Sequence, residues 1–147
     1  MRQRLSSARG TALIETAMVL PILLLISVAI FEFGRAYQTW EVLTNAAREG
    51  ARVAVLPSAT TSGTQARVMQ YIQNGQLSTQ GVNVSVNTNV PVSLGAAGTA
   101  SGSQVTVQYP FSFIVLQPVA RLVTSGTLLG APFTMTATAT MRNESQF

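Results

Sequence analysis

The sequence contains no cysteine, histidine, aspartate or lysine, and each absence removes a class of function. Without cysteine the chain has neither a disulfide nor a thiolate that could act as nucleophile or metal ligand. Without histidine and aspartate, most metal-binding constellations and the usual general bases are missing, and no histidine or lysine can activate a serine. We therefore expect no catalytic residue, no metal site and no cofactor.

Charge is also scarce, since charged residues make up only 10% of the chain. The sequence pI of about 10.7 would suit a nucleic-acid-binding protein. However, three of the nine arginines lie in the first ten residues, which leaves six arginines against five glutamates beyond Gly10. No basic stripe with interleaved aromatic residues is present to bind phosphates, so we expect no nucleic-acid partner.

One long apolar stretch dominates the N-terminal part of the chain. Residues 16–31 carry no charge, and extending the stretch back to Thr11 adds only Glu15. A helix of about 20 apolar residues crosses a hydrocarbon core of roughly 30 Å. Three arginines and no acid precede it: Arg2, Arg4 and Arg9. This asymmetry predicts a cytoplasmic N-terminus, with 1–10 as a basic leader and 11–35 as a transmembrane helix.

Three interpretations of this stretch remain open: a secretory signal peptide with a cleavage site near residues 27–29, an uncleaved signal anchor, and a type IV pilin-like N-terminus. Glu15 discriminates between them, because a carboxylate inside a membrane costs about 2.5–3.5 kcal/mol or more and usually has a partner. If the chain is cut between Gly10 and Thr11, the new ammonium group of Thr11 lies one helical turn from Glu15. In a plain anchor, Glu15 would instead reach the cytoplasmic headgroups.

Residues 9–15, RGTALIE, resemble a prepilin peptidase site, with a basic leader, a glycine and a glutamate five residues later. The longer stretch RGTALIETAMVLPILLLISVAIFEFGRA, the segment AAREGAR at 46–52 and the C-terminal FTMTATATMRNE are similar to TadE-like pseudopilins of tight-adherence (Flp) pilus systems. The resemblance implies cleavage after Gly10, an assembly role for Glu15 and a pilin-like fold. It also implies three partners in the bacterial inner membrane: prepilin peptidase, other pilins or pseudopilins, and the pilus assembly platform.

Beyond the membrane the helix is expected to continue to about residue 56, so that 36–56 form its exported half. Small residues at Ala46, Gly50 and Ala54 recur every four positions and would let another element approach closely, either the chain's own sheet or a neighbouring subunit. Arg48, Glu49 and Arg52 are expected to form a solvated face with i,i+3 pairing. Apolar residues at helical spacing predict one apolar stripe along this half of the helix: Trp40, Leu43, Ala47, Ala51 and Ala54.

Residues 57–147 are predicted to form a small α+β domain. Glycine, alanine and serine make 91–103 resemble a loop, and the apolar segment within 110–130 fits either a bulge and short helix under the sheet or an exposed patch. Alternating apolar and polar residues predict the strands. The predicted elements are a helix at 65–74 and strands at 82–87, 104–109 and 133–141.

The sequence therefore predicts an α+β, pilin-like protein: a long N-terminal helix, its first half transmembrane, packed on a small antiparallel sheet. The major pilins of tight-adherence systems are much shorter and lack a globular part, so the resemblance implies a minor pseudopilin. The chief alternative is an uncleaved, membrane-anchored extracytoplasmic binding module. An anchored enzyme is a more remote one, given the missing residue types.

Overall fold

The computed structural model of the chain describes residues 2–118 and 131–143, and within them the fold is α+β as predicted. Two helices precede one antiparallel sheet. The elements are α1 (Arg2–Ala54), α2 (Thr61–Asn74), β1 (Asn83–Ser93), a short 3-10 turn (Gly95–Ala97), β2 (Thr99–Phe111) and β3 (Phe133–Arg142). The expected long helix on a small sheet is thus confirmed.

The chain forms two compact units. The first contains Met1–Arg35 and Phe113–Gly130, and the second contains Ala36–Ser112 and Ala131–Phe147. The predicted segment 110–130 is divided between them, and its residues 119–130 lie outside the described part of the chain. Helix α1 supplies residues to both units.

Local sequence explains where α1 ends and where α2 begins. Helix α1 stops at Ala54, close to the predicted end, because a residue that precedes a proline, here Leu56 before Pro57, disfavours helical backbone angles. Helix α2 begins four residues earlier than predicted. The hydroxyl of Thr60 caps it by accepting a hydrogen bond from the Gly63 amide at 3.1 Å.

The sheet has the order β1-β2-β3, with both neighbouring pairs antiparallel. The prediction of a loop over 91–103 is wrong except at its centre, because β1 runs to Ser93 and β2 starts at Thr99. Gly102 explains the error. A Cβ there would collide with Val92 and with the Met141 backbone, so this glycine permits close strand approach within the ladder.

The core of the second unit lies between α1, α2 and the sheet. Its α1 side consists of alanines and one leucine, and half of the opposing residues are valines. The buried apolar residues are Leu43, Ala46, Ala47, Ala51, Ala54, Val68, Ile72, Val84, Val105, Val107, Phe111, Met135 and Ala137. Trp40, the first residue of the predicted apolar stripe, is 45% exposed, whereas the other four members of the stripe are buried.

Strand β3 shows the predicted alternation most clearly. Met135 and Ala137 are buried, while threonines occupy the other face. Thr138 there forms a cross-strand hydrogen bond with Thr106 at 3.1 Å. A two-sided strand of this kind is typical of an antiparallel sheet with one solvated face.

Gly50 is the point of closest packing in the second unit. A Cβ at Gly50 would lie 2.5 Å from Cγ2 of Val68 in α2 and 3.1 Å from Cγ1 of Val105 in β2. Valine side chains are stiff, so neither neighbour can easily move away. Only a residue without a side chain lets the helix lie this close to both elements.

Gly50→Ala is therefore expected to destabilise the second unit relative to a matched control. At Gly34, also within α1, an added Cβ would meet no described atom within 4 Å. Both substitutions gain helix propensity, but only Gly50→Ala adds an overpacking cost of about 1–3 kcal/mol. Thermal unfolding of the full chain in detergent should show a lower Tm for Gly50→Ala than for Gly34→Ala. Equal melting temperatures would show that the contact is loose.

Candidate functional site

The residues predicted for processing and assembly lie together on the surface of α1. Gly10, Thr11 and Glu15 are all exposed. A Cβ at Gly10 would meet no atom of the described residues within 4 Å. Because residues four apart share a helix face, Thr11 and Glu15 lie side by side. Gly10, Thr11 and Glu15 thus lie on an exposed part of the helix surface.

The helix surface around Glu15 is apolar and uncovered. Residues 10–27 are exposed, and the most apolar 18-residue window of Gly10–Ala54 has a mean hydropathy of 2.5, with none of that window buried against other described residues. By length and composition this helix can cross a membrane. A large exposed apolar surface of this kind marks a contact with lipid or with another protein.

The small-residue row on α1 faces the interior of the second unit. Ala46 is 0% exposed and Ala54 6% exposed, and Gly50 touches α2 and β2 as described above. The hydroxyl of Ser103 in β2 also donates a hydrogen bond to the Ala54 carbonyl at 3.2 Å. Of the two partners considered from sequence, the structure places the chain's own elements against this row. It does not bring the row together with Glu15.

Glu32 forms a polar cluster that sequence reasoning missed. Its side chain is fully buried. Oε2 accepts a hydrogen bond from Nη2 of Arg35 at 3.0 Å, and Oε1 accepts the backbone amides of Ile114 at 2.8 Å and Val115 at 2.6 Å. All four residues belong to the first unit. The available signal was an acid that directly follows an uncharged span, because a buried charge needs partners.

The apolar residues at 111–114 divide between the two predicted roles. Phe111 is 2% exposed and packs against Phe133, with ring centroids 5.5 Å apart, so it is part of the core. Ile114 is 60% exposed and thus fits the alternative of a surface patch. The change occurs where β2 ends.

A second charged cluster joins α1 to α2. Glu49 binds Arg52 through Oε1 at 2.8 Å and Oε2 at 2.9 Å, as the predicted i,i+3 spacing requires. Arg67 of α2 adds an ion pair to Oε1 at 2.9 Å. Hydrogen bonds from Arg52 and then Arg67 lower the pKa of Glu49 from 4.5 to about 2. The Glu49 side chain is only 17% exposed, so the cluster is less solvated than predicted.

The two glutamates with arginine partners are engaged in ion pairs. Among the described residues, no group of three or more histidine, cysteine, aspartate or glutamate side chains could hold a metal ion. The buried carboxylate of Glu32 and the half-buried carboxylate of Glu49 are both paired with arginine. Fully engaged carboxylates of this kind stabilise structure and are poorly suited to proton transfer.

Comparison with known protein families gives a match to the helix described above. The family model described as TadE-like protein matches residues 10–52, which confirms the resemblance seen in the sequence. The matched segment starts at Gly10, includes Glu15 and Glu32, and ends with the AAREGAR segment. No curated protein and no solved structure was found to match the chain.

The Glu49 cluster makes the stability of the second unit fall at low pH. A folded-state pKa of about 2, below the unfolded value of 4.5, stabilises the fold above about pH 5, and this contribution is lost as the pH falls toward 2. Allowing for screening by solvent at the two arginines, we expect Glu49→Gln to cost about 1–2 kcal/mol at neutral pH.

Thermal unfolding measured from neutral pH to pH 2 checks this expectation. The difference in Tm between wild type and Glu49→Gln should shrink steadily below about pH 5. Glu41→Gln, at an exposed glutamate of the same helix, serves as the control and should change Tm little. A difference that persists unchanged at low pH would contradict the proposed role of the ionised carboxylate.

Proposed function

From the TadE-like match over residues 10–52, we propose that this chain is a minor pseudopilin, a structural and assembly subunit of a tight-adherence pilus. The TadE-like family is a pilus-associated and structural family. The observation that carries the proposal is the coincidence of this match with an uncovered apolar helix on which Gly10, Thr11 and Glu15 are exposed. A globular second unit fits a minor subunit, since the major pilins of such systems lack one.

The proposed topology is a single pass through the bacterial inner membrane. Residues 1–10 form the cytoplasmic leader, 11–35 the transmembrane helix and 36–56 the exported half of the helix, followed by the exported domain at 57–147. The arginines of the leader and the apolar surface of α1 support this orientation. The absence of charge in 16–31 supports the placement of the span.

The proposed mechanism has three stages. The subunit is stored in the membrane, prepilin peptidase removes the leader after Gly10, and the assembly platform then extracts the subunit while its apolar helix packs laterally among other pilins. In the packed bundle, Glu15 of one subunit would pair with the ammonium group of Thr11 in a neighbour. Such a pair would set the axial register, which a uniformly apolar surface specifies poorly.

The alternative function is an uncleaved, membrane-anchored binding module. The observation that favours it is that α1 runs without interruption through Gly10 and Thr11, as it would in a permanent anchor. Both functions place the second unit outside the cytoplasm. They differ in whether the leader is removed and whether the helix leaves the membrane.

Intact-mass measurement of the protein from its native host tests the processing step. We expect the wild-type chain to start at Thr11 and Gly10→Val to keep residues 1–10, because only a residue without a side chain fits the peptidase there. Gly34→Val is the control, since Gly34 also has an open position on α1 and should leave processing intact. A full-length wild-type mass would favour the anchor, and a start near residue 30 would favour a signal peptide.

Glu15→Leu tests the assembly step. Removing the carboxylate should leave membrane insertion unharmed or easier, and cleavage should largely survive because the cut lies one helical turn away. Incorporation into pili should fall at least about tenfold, because an unpaired ammonium group in an apolar bundle is strongly unfavourable.

Thr16→Leu is the matched control for this variant, since Thr16 is the next exposed residue and its hydroxyl donates a local hydrogen bond to the Ala12 carbonyl. Membrane level, leader processing and the amount in sheared pili are measured for both variants and wild type. Normal incorporation of processed Glu15→Leu would show that Glu15 only reaches the headgroups, and the register mechanism would be wrong.

A further inference from the structure

The Glu32 cluster holds an irregular piece of backbone against α1 within the first unit. Residues 112–115 are neither helix nor strand, and a helical turn starts at 116. The amides of Ile114 and Val115 both point at one oxygen, Oε1 of Glu32, at 2.8 Å and 2.6 Å. Arg35 occupies the other oxygen at 3.0 Å. One side chain therefore fixes the position of this segment.

Glu32 lies at a definite level along the proposed span. A helix rises about 1.5 Å per residue, so the distance along α1 from Arg9 to Glu32 is about 35 Å. The hydrocarbon core of a bilayer is about 30 Å thick. When the leader arginines lie at the cytoplasmic headgroups, Glu32 and the two amides bound to it reach the opposite boundary of the hydrocarbon.

The hydrogen bonding at Glu32 suits that level. Irregular backbone next to lipid is tolerated only where its polar groups are satisfied by the protein, because hydrocarbon offers no hydrogen bonds. Glu32 satisfies two amides of the segment, and Arg35 neutralises the carboxylate, which is itself fully buried. Charge-assisted bonds of this type are stronger than neutral ones, so the arrangement does not depend on water.

The side chains around the cluster are apolar and uncovered. Ile114 is 60% exposed, and the facing turn of α1 exposes three more large apolar residues: Ile30 at 69%, Phe31 at 60% and Phe33 at 63%. The sequence of 113–118, FIVLQP, carries no charge. This surface is continuous along α1 with the uncharged residues 16–31, and continuity with a membrane span identifies lipid as the matching partner.

We propose that residues 113–118 form a second membrane contact, in which Glu32 holds the backbone at Ile114 and Val115 so that the Ile114 side chain enters the outer lipid interface beside α1. This inference rests on the proposed membrane anchoring by 11–35. It adds a second site of lipid contact, about 80 residues further along the chain, to the span itself. The segment would thereby fix how far α1 can move along the membrane normal.

The absence of cysteine allows a direct test by single-cysteine labelling of the full chain. Ile114→Cys, Ile22→Cys and Ser85→Cys are each labelled with an environment-sensitive fluorophore and reconstituted in phosphatidylcholine–phosphatidylglycerol vesicles. All three positions are exposed, so labelling should not disturb the fold. Quenching is compared for lipids that carry a spin label near the headgroup or near the end of the acyl chain.

We expect the label at 114 to be quenched more by the shallow spin label, and the label at 22 more by the deep one. The label at 85, on β1 of the second unit, should be quenched by neither. Quenching at 22 without quenching at 114 would overturn the second contact while leaving the membrane anchor intact, and would assign this surface to another subunit or to water. Absence of quenching at 22 would overturn the anchor and the inference together.

Two substitutions test whether Glu32 positions the segment. In the Ile114→Cys background, Glu32→Ala removes both carboxylate oxygens, including the one that accepts the two amides. Quenching at 114 by the shallow spin label should then fall at least twofold, toward the value at 85. Glu32→Gln keeps one carbonyl oxygen for the two amides and should retain more of the quenching. Quenching at 22 should stay unchanged in both variants, which controls for insertion. Full quenching at 114 in Glu32→Ala would show that the segment reaches lipid without Glu32 and would overturn its positioning role.

Discussion

The constraint on which the structure depends is that one continuous helix must suit two surroundings. Over 16–27, α1 is uncharged and exposed on all sides, as a helix in lipid requires. Over its last three turns it instead becomes one-sided, with small residues buried against its own sheet and charged residues opposite. One helix meets both requirements, an apolar surface on all sides and a one-sided surface, because α1 continues without a break from Arg2 to Ala54. The match to TadE-like proteins covers the same helix and stops close to its end.

Much of this arrangement follows from periodicity. A long uncharged run, small residues every fourth position and the strict alternation of 133–141 are local patterns, and the structure contains the helix and the strand that they predict. Prediction failed where a residue's role depends on a distant neighbour. Gly102 belongs to a glycine-rich stretch that resembles a loop, but it lies in the middle strand. A glycine is needed there because Val92 and Met141, in the strands on either side, leave no room for a Cβ.

The candidate site shows the same limit. Gly10, Thr11 and Glu15 are recognisable because their spacing is local, and the structure adds only that they are exposed. In the Glu32 cluster, only the need for a partner and the i,i+3 neighbour Arg35 can be read from the sequence. The two backbone amides bound to Glu32 could not be predicted, because they lie more than 80 residues away and amides have no sequence signature. Arg67, the partner of Glu49 in α2, was missed because it is also distant in sequence, whereas the i,i+3 partner Arg52 was predicted.

We propose that α1 crosses the membrane once and that the sheet lies on the far side from the N-terminus. A reporter fusion at Gly98 tests this most directly, because Gly98 closes the exposed turn between β1 and β2, and an insertion there leaves both strands intact. Alkaline phosphatase, active only after export, and a fluorescent protein that matures only in the cytoplasm are each inserted at this turn. The account predicts phosphatase activity without fluorescence. Fluorescence without phosphatase activity would contradict it.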